Sequence, residues 1–232
     1  MKTLVFEREA AIEKAAEHIK ALIREKPDAV LALDVGTAVG AVCDKLVQAY
    51  DRAELSLSQL RIFSLTEYEE PPPGKSCREA ILSGLVNKTD IDPTNCRFID
   101  GESLEAYDGL IAEAGGVDIC LLGLGINASI GFNEPAVPFA SPAHRQKLTD
   151  ITKRWKAPYF GGEDKVPGYG YTLGIKAIVS SRETMVIALG PEKAEAVFKM
   201  LYGRNDSAVP AAFLQISPNV TIYLDKAAAE KL

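Results

Sequence analysis

The sequence predicts an α/β protein: a mostly parallel, Rossmann-like sheet covered by helices on both faces, in three αβα layers. Three observations carry this reading. Short apolar runs recur without polar alternation, at Ala29–Leu33, at Leu60–Leu65 and in VDICLLGLG from Val117 to Gly125. Strands apolar on both sides belong to sheets covered twice. Stretches with helical spacing separate these runs, and glycine-bearing turns follow them at Gly36, Gly123 and Gly190, the alternation expected of βαβ units.

Each element follows from its own pattern. Between Glu7 and Arg24, the residues Ala11, Ile12, Ala15, Ile19, Ala21, Leu22 and Ile23 fall on one stripe, which predicts an amphipathic helix. Pro27 punctuates, Ala29–Leu33 reads as a strand, Gly36 and Thr37 form a turn, and Val39–Tyr50 resumes helical spacing. The strand Leu60–Leu65 leaves Thr66, Glu67 and Tyr68 at its carboxyl end, before a proline-rich loop. A helix is expected over Cys77–Leu85, a short strand over Cys96–Ile99 and a helix over Leu104–Ala114. Val117–Gly125 and Thr184–Gly190 read as buried strands, GPEKAEAVFKMLYG after them as a helix, and NVTIYLD as the last strand. Asp150–Tyr171 reads as a loop-rich, mobile cover. No repeat or linker divides the chain, so residues 1–232 read as one domain.

Composition narrows the function. With 232 residues, 47% of them hydrophobic, the chain can bury a sizeable core, and a net charge of -6 leaves no broad basic face for nucleic acid or anionic lipid. Charges interrupt the N-terminal stretch every few residues and no run reaches the ~18 apolar residues of a membrane span. A cytoplasmic location is therefore expected, with neither nucleic acid nor membrane as a partner. Cys43, Cys77, Cys96 and Cys120 are widely spread without a CxxC, and only His18 and His144 could join them. They read as reduced core residues, and no metal or other cofactor is expected.

In a parallel sheet, ligands bind beyond the carboxyl ends of the strands. That rule gathers Asp34–Thr37, Thr66–Tyr68, Gly123–Glu134 and Gly190–Lys193 at one edge, with Asn127, Ser129 and Glu134 expected to face a cavity. Gly36 and Thr37 suit an anion at a helix N-terminus, or merely a tight turn. Gly123 and Gly125 form a GxG without the third glycine of a dinucleotide fingerprint. Glu134, between Asn133 and Pro135, is either a general acid or base or a cap on nearby N–H groups.

The stretch LGLGINASIGFNEP from Leu122 to Pro135, with SLTEY upstream and LGPEKAEAV downstream, resembles the glucosamine-6-phosphate deaminase (isomerase) family. That family includes galactosamine-6-phosphate isomerases and is related to 6-phosphogluconolactonases, and the resemblance covers nearly the whole chain. It implies a modified Rossmann-like sheet and aldose–ketose isomerisation of an amino-sugar phosphate, coupled in the deaminases to loss of ammonia. It also implies a carboxylate that moves a proton between C1 and C2, and a histidine, oriented by a carboxylate, that helps to open the ring.

Carried over by position, the family's DEY aspartate falls on Thr66, whose hydroxyl is no base near neutral pH. The ring-opening histidine falls on Ser129, its neighbouring acidic or amide position on Asn127, and the final glutamate on Glu134. The TGGTP-like phosphate loop reads Asp34-Val35-Gly36-Thr37-Ala38 here. Two phosphate-contacting cations fall near His144 and Gln146, with Arg145 and Lys147 beside them, and Lys193 matches a third. Glu67 adjoins Thr66 but points to the opposite face of a regular strand. Asp34 ends a neighbouring strand and is better placed to supply the base, or else caps the helix starting near Ala38. Tyr68, Tyr169 and Tyr171 line a sugar pocket or pack in the core.

The candidate catalytic groups are thus Asp34, Thr66, Asn127, Ser129 and Glu134. Candidate substrate and phosphate contacts are Gly36, Thr37, Glu67, Gly125, Arg145, Lys147 and Lys193. The expected function is that of a hexosamine-6-phosphate isomerase or deaminase with altered catalytic positions. A sugar-phosphate-binding or regulatory protein without turnover is the alternative, and a lactonase-like hydrolase a weaker one. The expected partner is a small-molecule sugar phosphate, with a homo-oligomer left open.

Overall fold

The computed structural model describes residues 1–232. In chain order the strands are β1 (Lys2–Phe6), β2 (Val30–Leu33), β3 (Arg61–Ser64), β4 (Thr66–Tyr68), β5 (Cys96–Arg97), β6 (Ile119–Leu122), β7 (His144–Lys147), β8 (Tyr169–Thr172), β9 (Glu183–Ala188) and β10 (Val220–Asp225). The helices are α1 (Arg8–Glu25), α2 (Thr37–Asp51), α3 (Cys77–Gly84), α4 (Tyr107–Glu113), α5 (Asp150–Phe160), α6 (Ile175–Val179) and α7 (Ala194–Tyr202). Seven strands pair in the order β1-β10-β9-β6-β2-β3-β5, every pair parallel.

The apolar runs are buried on both sides, as a parallel sheet requires. Val30 and Ala32 of β2, Cys120 and Leu122 of β6, and Val186 and Ala188 of β9 pack with α4, α6 and α7. The alternate residues, Leu31 and Leu33, Ile119 and Leu121, Met185 and Ile187, pack with α1, α2 and α3. The period of two along each strand therefore sorts the core into two layers around the sheet. All four cysteines are buried and free of disulfides. No helix is long and apolar enough to cross a membrane.

The strand order places the functional edge. From β2 the chain builds outward through β3 and β5, and from β6 it builds the other way through β9 and β10. The order reverses between β2 and β6, and a crevice opens at such a switch point beyond the carboxyl ends of the two strands.

Three expectations need correction. The N-terminal strand β1 was not anticipated, because its alternation spans only five residues, of which Val5 is exposed. Thr66–Tyr68, expected only as the strand end before a loop, forms a strand of its own: it pairs antiparallel with β8, which pairs with β7, in a small second sheet over the edge. Asp150–Tyr171 is not chiefly loop. It contains α5, whose N-cap Thr149 accepts the N–H of Thr152 at 3.3 Å and whose C-cap Gly161 has φ 79°. Pro158 hides this helix in the sequence; it sits in the last turn, so it removes only the bond to the Arg154 carbonyl shortly before the helix ends at Phe160.

At the opposite edge, Asp118 ties the strand starts together. It accepts the Val30 N–H at 2.8 Å, Lys26 at 2.8 and 2.9 Å, and Arg182 at 2.9 Å. Burial alone would raise its pKa, but Lys26, the Val30 N–H and Arg182 together hold it below the ordinary aspartate range. Asp118→Ala is expected to destabilise the fold by about 2 kcal/mol. The exposed cations regain water, while the buried Val30 N–H does not. A depressed carboxyl pKa stabilises the folded state above the unfolded-state value, and that share is lost as pH falls through the folded-state value. The gap between wild type and Asp118→Ala in thermal melts should therefore be full at neutral pH and shrink in acid.

Candidate active site

Beyond β2 and β6 lies a cavity of about 860 Å³. Asp34, Gly36, Thr37, Gly125, Ser129 and Lys193 all line it. The remaining six candidate residues do not, and each has a physical reason for its place.

Asp34 leaves the end of β2 half-buried in the cavity floor. Its Oδ1 accepts the Val35 N–H at 2.8 Å and the Thr66 hydroxyl at 3.5 Å, and its Oδ2 accepts the Gly123 N–H at 3.2 Å. It therefore bridges β2 to β6 and does not cap α2, whose N-cap Gly36 has no side-chain partner. Desolvation raises its pKa above the ordinary aspartate range, against the pull of Lys156 and of its hydrogen bonds. Thr66 is 1% exposed and stands behind Asp34, with its Oγ1 also 3.6 Å from Cys77 Sγ.

The turn after β6 is built tightly. The Gly125 N–H donates to Ser129 O and the Ala128 N–H to Gly125 O, both at 2.9 Å. A side chain at Gly125 would place its Cβ 2.1 Å from Ser129 Oγ, so glycine is needed for Ser129 to face the cavity. Ala128 is held at φ 61°, a left-handed conformation that costs an L-residue roughly 1–2 kcal/mol.

Glu134 is 1% exposed and faces away from the cavity. Its Oε2 accepts Asn127 Nδ2 at 2.6 Å and the Thr149 hydroxyl at 3.2 Å. It links the Gly125 turn to the N-cap of α5, which corrects the expectation that Asn127 and Glu134 face the cavity alongside Ser129. Glu67 is also committed elsewhere. Its Oε1 accepts the N–H groups of Tyr68 and Cys77, and its Oε2 accepts the Arg78 N–H and the Ser76 hydroxyl, all within 2.9 Å. Three donors at the start of α3 and the Tyr68 N–H of β4 occupy this carboxylate, which stands outside the cavity lining.

Arg145 and Lys147 stand outside the cavity lining. On β7 the side chains alternate, with both residues exposed and His144 and Gln146 turned inward. Arg145 pairs with Glu69 at 2.6 Å and lies over the Tyr169 ring, which with Tyr171 belongs to this outer sheet.

The cations of the cavity come from elsewhere. Lys193 Nζ donates to Leu124 O at 2.7 Å and sits 4.6 Å over the Trp155 ring. Burial, reinforced by the charge of Lys156, lowers its pKa to about 8. Lys156, which the sequence reading missed, lines the cavity from α5 together with Thr152, Trp155 and Tyr159. These positions are spaced i, i+3, i+4 and i+7, one helical face. The spacing was present in the sequence, and Pro158 obscured it. The lining thus gathers the half-buried Asp34 carboxylate, the half-buried ammonium groups of Lys75, Lys156 and Lys193, the exposed charges of Arg8, Asp44, Arg154 and Glu192, and the free N–H groups of the first turn of α2, which favour an anion.

Residues 7–223 match the family model described as glucosamine-6-phosphate isomerases/6-phosphogluconolactonase. The chain is 39% identical to the glucosamine-6-phosphate deaminase of Mycolicibacterium smegmatis, over 94% of this chain and 87% of that protein. It is 36% identical to the glucosamine-6-phosphate deaminase of Clostridium botulinum (strain Alaska E43 / Type E3), over 100% of this chain and 97% of that one. A monomeric glucosamine-6-phosphate deaminase of solved structure superposes with a TM-score of 0.96 at 31% identity, covering 100% of both chains. The 6-phosphogluconolactonase of Trypanosoma brucei shares the fold, with a TM-score of 0.80 at 19% identity over 100% of this chain and 98% of that one. The chain belongs to the glucosamine-6-phosphate isomerase/6-phosphogluconolactonase family, an enzyme family.

Proposed function

We propose that this chain binds an amino-sugar phosphate in the cavity between β2 and β6 and catalyses its aldose–ketose isomerisation, with loss of ammonia where C2 carries an amine. The observation that carries this reading is the joint lining of one cavity by Asp34, Lys156, Lys193 and the N-terminus of α2. Charge sets the orientation. A phosphate ~4 Å from an ionised Asp34 would be repelled by roughly 4 kcal/mol per unit charge at an effective dielectric of 20. The phosphate therefore pairs with Lys156 and Lys193, and the reacting carbons lie toward Asp34. The deaminase names of the relatives support the substrate class.

The test is calorimetric titration of glucosamine 6-phosphate. Lys193→Ala and Lys156→Ala should each weaken binding about 10-fold to 100-fold, the value of a hydrogen bond to a charged group. Binding to wild type should also weaken as pH rises through about 8, where Lys193 gives up its proton. Unchanged affinity in both variants would sink the phosphate assignment.

One observation favours a second reading, a binding or regulatory protein with little turnover. Ser129 stands in the cavity wall where the family's pattern has a histidine, and Glu134 is bonded to Asn127 and Thr149 rather than turned toward a ligand. Each missing acid or base lowers a rate by ~100-fold to 10,000-fold. Ammonia release from glucosamine 6-phosphate should therefore run at least ~100-fold below an ordinary ~10 per second. A coupled assay of ammonia release measures it, and an ordinary rate would show that the substitutions at Thr66 and Ser129 do not limit catalysis.

A further inference from the structure

The isomerisation proposed above needs a base at the reacting carbons, and position 66, where the family resemblance puts it, holds a threonine. The Asp34 carboxylate lies 3.5 Å from the Thr66 hydroxyl. β2 and β3 are paired neighbours, Leu33 opposite Ser64, so Asp34 and Thr66 leave adjacent chain ends, with Asp34 in the cavity lining and Thr66 buried behind it. A carboxylate at either position would stand within a hydrogen bond's reach of the other residue. We infer that Asp34 is the catalytic base of this protein, relocated from the neighbouring strand, and that Thr66 is a positioning residue that holds it from behind. The inference rests on the sugar-phosphate reading above.

The other carboxylates near the cavity do not fit this role. Glu134 and Glu67 are bonded away from it, and Asp44 and Glu192 are exposed residues at its rim. Asp34 alone is held in the floor, by two backbone N–H groups and one hydroxyl. A carboxylate has about four acceptor positions. Two of them on Oδ1 and one on Oδ2 are occupied, which leaves a lone pair of Oδ2 open. Desolvation raises the carboxyl pKa, the direction that strengthens a general base working near neutral pH.

The proton balance is simple. Asp34 takes the proton from the carbon beside the sugar carbonyl. The C–H electron pair forms C1=C2 as the carbonyl π pair moves to oxygen, which takes a proton from water. Asp34 then returns its proton to the adjacent carbon, and the heteroatom on the other carbon loses a proton to water as its double bond forms. Nothing is oxidised or reduced.

The first half of this cycle is measurable without ammonia, as deuterium uptake at C1 of fructose 6-phosphate in D2O, followed by NMR alongside calorimetric binding of the same sugar. Wild type should bind and exchange. Asp34→Asn should bind at least as well and exchange ~100-fold to 10,000-fold more slowly. Adding Thr66→Asp to Asp34→Asn, which moves the carboxylate back across the strand gap, should recover at least ~10-fold of that loss. Thr66→Ala should slow exchange with little change in binding, and Thr66→Ser should restore it. This pair carries the test should Asp34→Asn fold poorly.

Exchange by Asp34→Asn at the wild-type rate overturns the inference and leaves the sugar-phosphate reading standing. So does exchange unaltered in Thr66→Ala with respect to the positioning role. Wild type that binds without exchange also overturns it, in favour of binding without turnover. If wild type neither binds nor exchanges, the sugar-phosphate reading itself has failed.

Discussion

The hydrogen bond from the Gly123 N–H to the Asp34 carboxylate stands where β2 and β6 part, and the cavity depends on that parting. After β2 the chain turns into α2 on one face of the sheet, with Val39 in that layer. After β6 it turns to the other face, where Leu124 and Ala128 are buried. Backbone groups abandoned at such a fork have no strand partner, and a buried N–H left unpaired costs about 1–3 kcal/mol. Asp34 satisfies two of them, those of Val35 and Gly123, and is thereby pinned in the cavity floor. One side chain closes the backbone at the fork and places a carboxylate in the cavity.

The wall and the cover of the cavity are joined through a second buried carboxylate. Glu134 connects Asn127, in the turn after β6, to Thr149, which caps α5. α5 in turn presents Trp155 beneath Lys193, and Lys156 among the lining residues. The glutamate of the GFNEP stretch therefore ties the start of α5 to the turn that carries Ser129. Its burial at 1% exposure is tolerable because its oxygens have donors.

Two aspartates on the two edges of the same sheet show how environment divides stability from chemistry. Asp118, at the strand starts, has two cations and a backbone donor, and its pKa is depressed. Its ionised form stabilises the fold at neutral pH. Asp34, at the strand ends, has no ion-pair partner in contact and a raised pKa, so its ionisation opposes folding as pH rises. Lys193 is perturbed the opposite way for the same reason, desolvation in a shared cavity. A carboxyl raised and an ammonium lowered thus line one cavity, each shifted by its burial there.

The residue pattern alone was enough to specify the sheet and its polarity, because apolar runs such as Leu31–Leu33 and Ile119–Leu122 can be buried only between two helical layers. It also determined that Asp34, Gly36, Thr37, Gly125, Ser129 and Lys193 meet, because strand ends and the turns after them share one edge. It did not determine direction within short irregular segments. Arg145 and Lys147 face outward because β7 pairs with β8 in a register that turns His144 and Gln146 inward, and a one-residue step reverses the face of a strand. Glu67 and Glu134 are occupied because donors far along the chain, at Cys77 and Thr149, reach them first. The proximity of Asp34 to Thr66 likewise belongs to the tertiary structure: the pairing of β2 with β3 brings together two residues 32 positions apart, and side chains at such separation are related only by the fold.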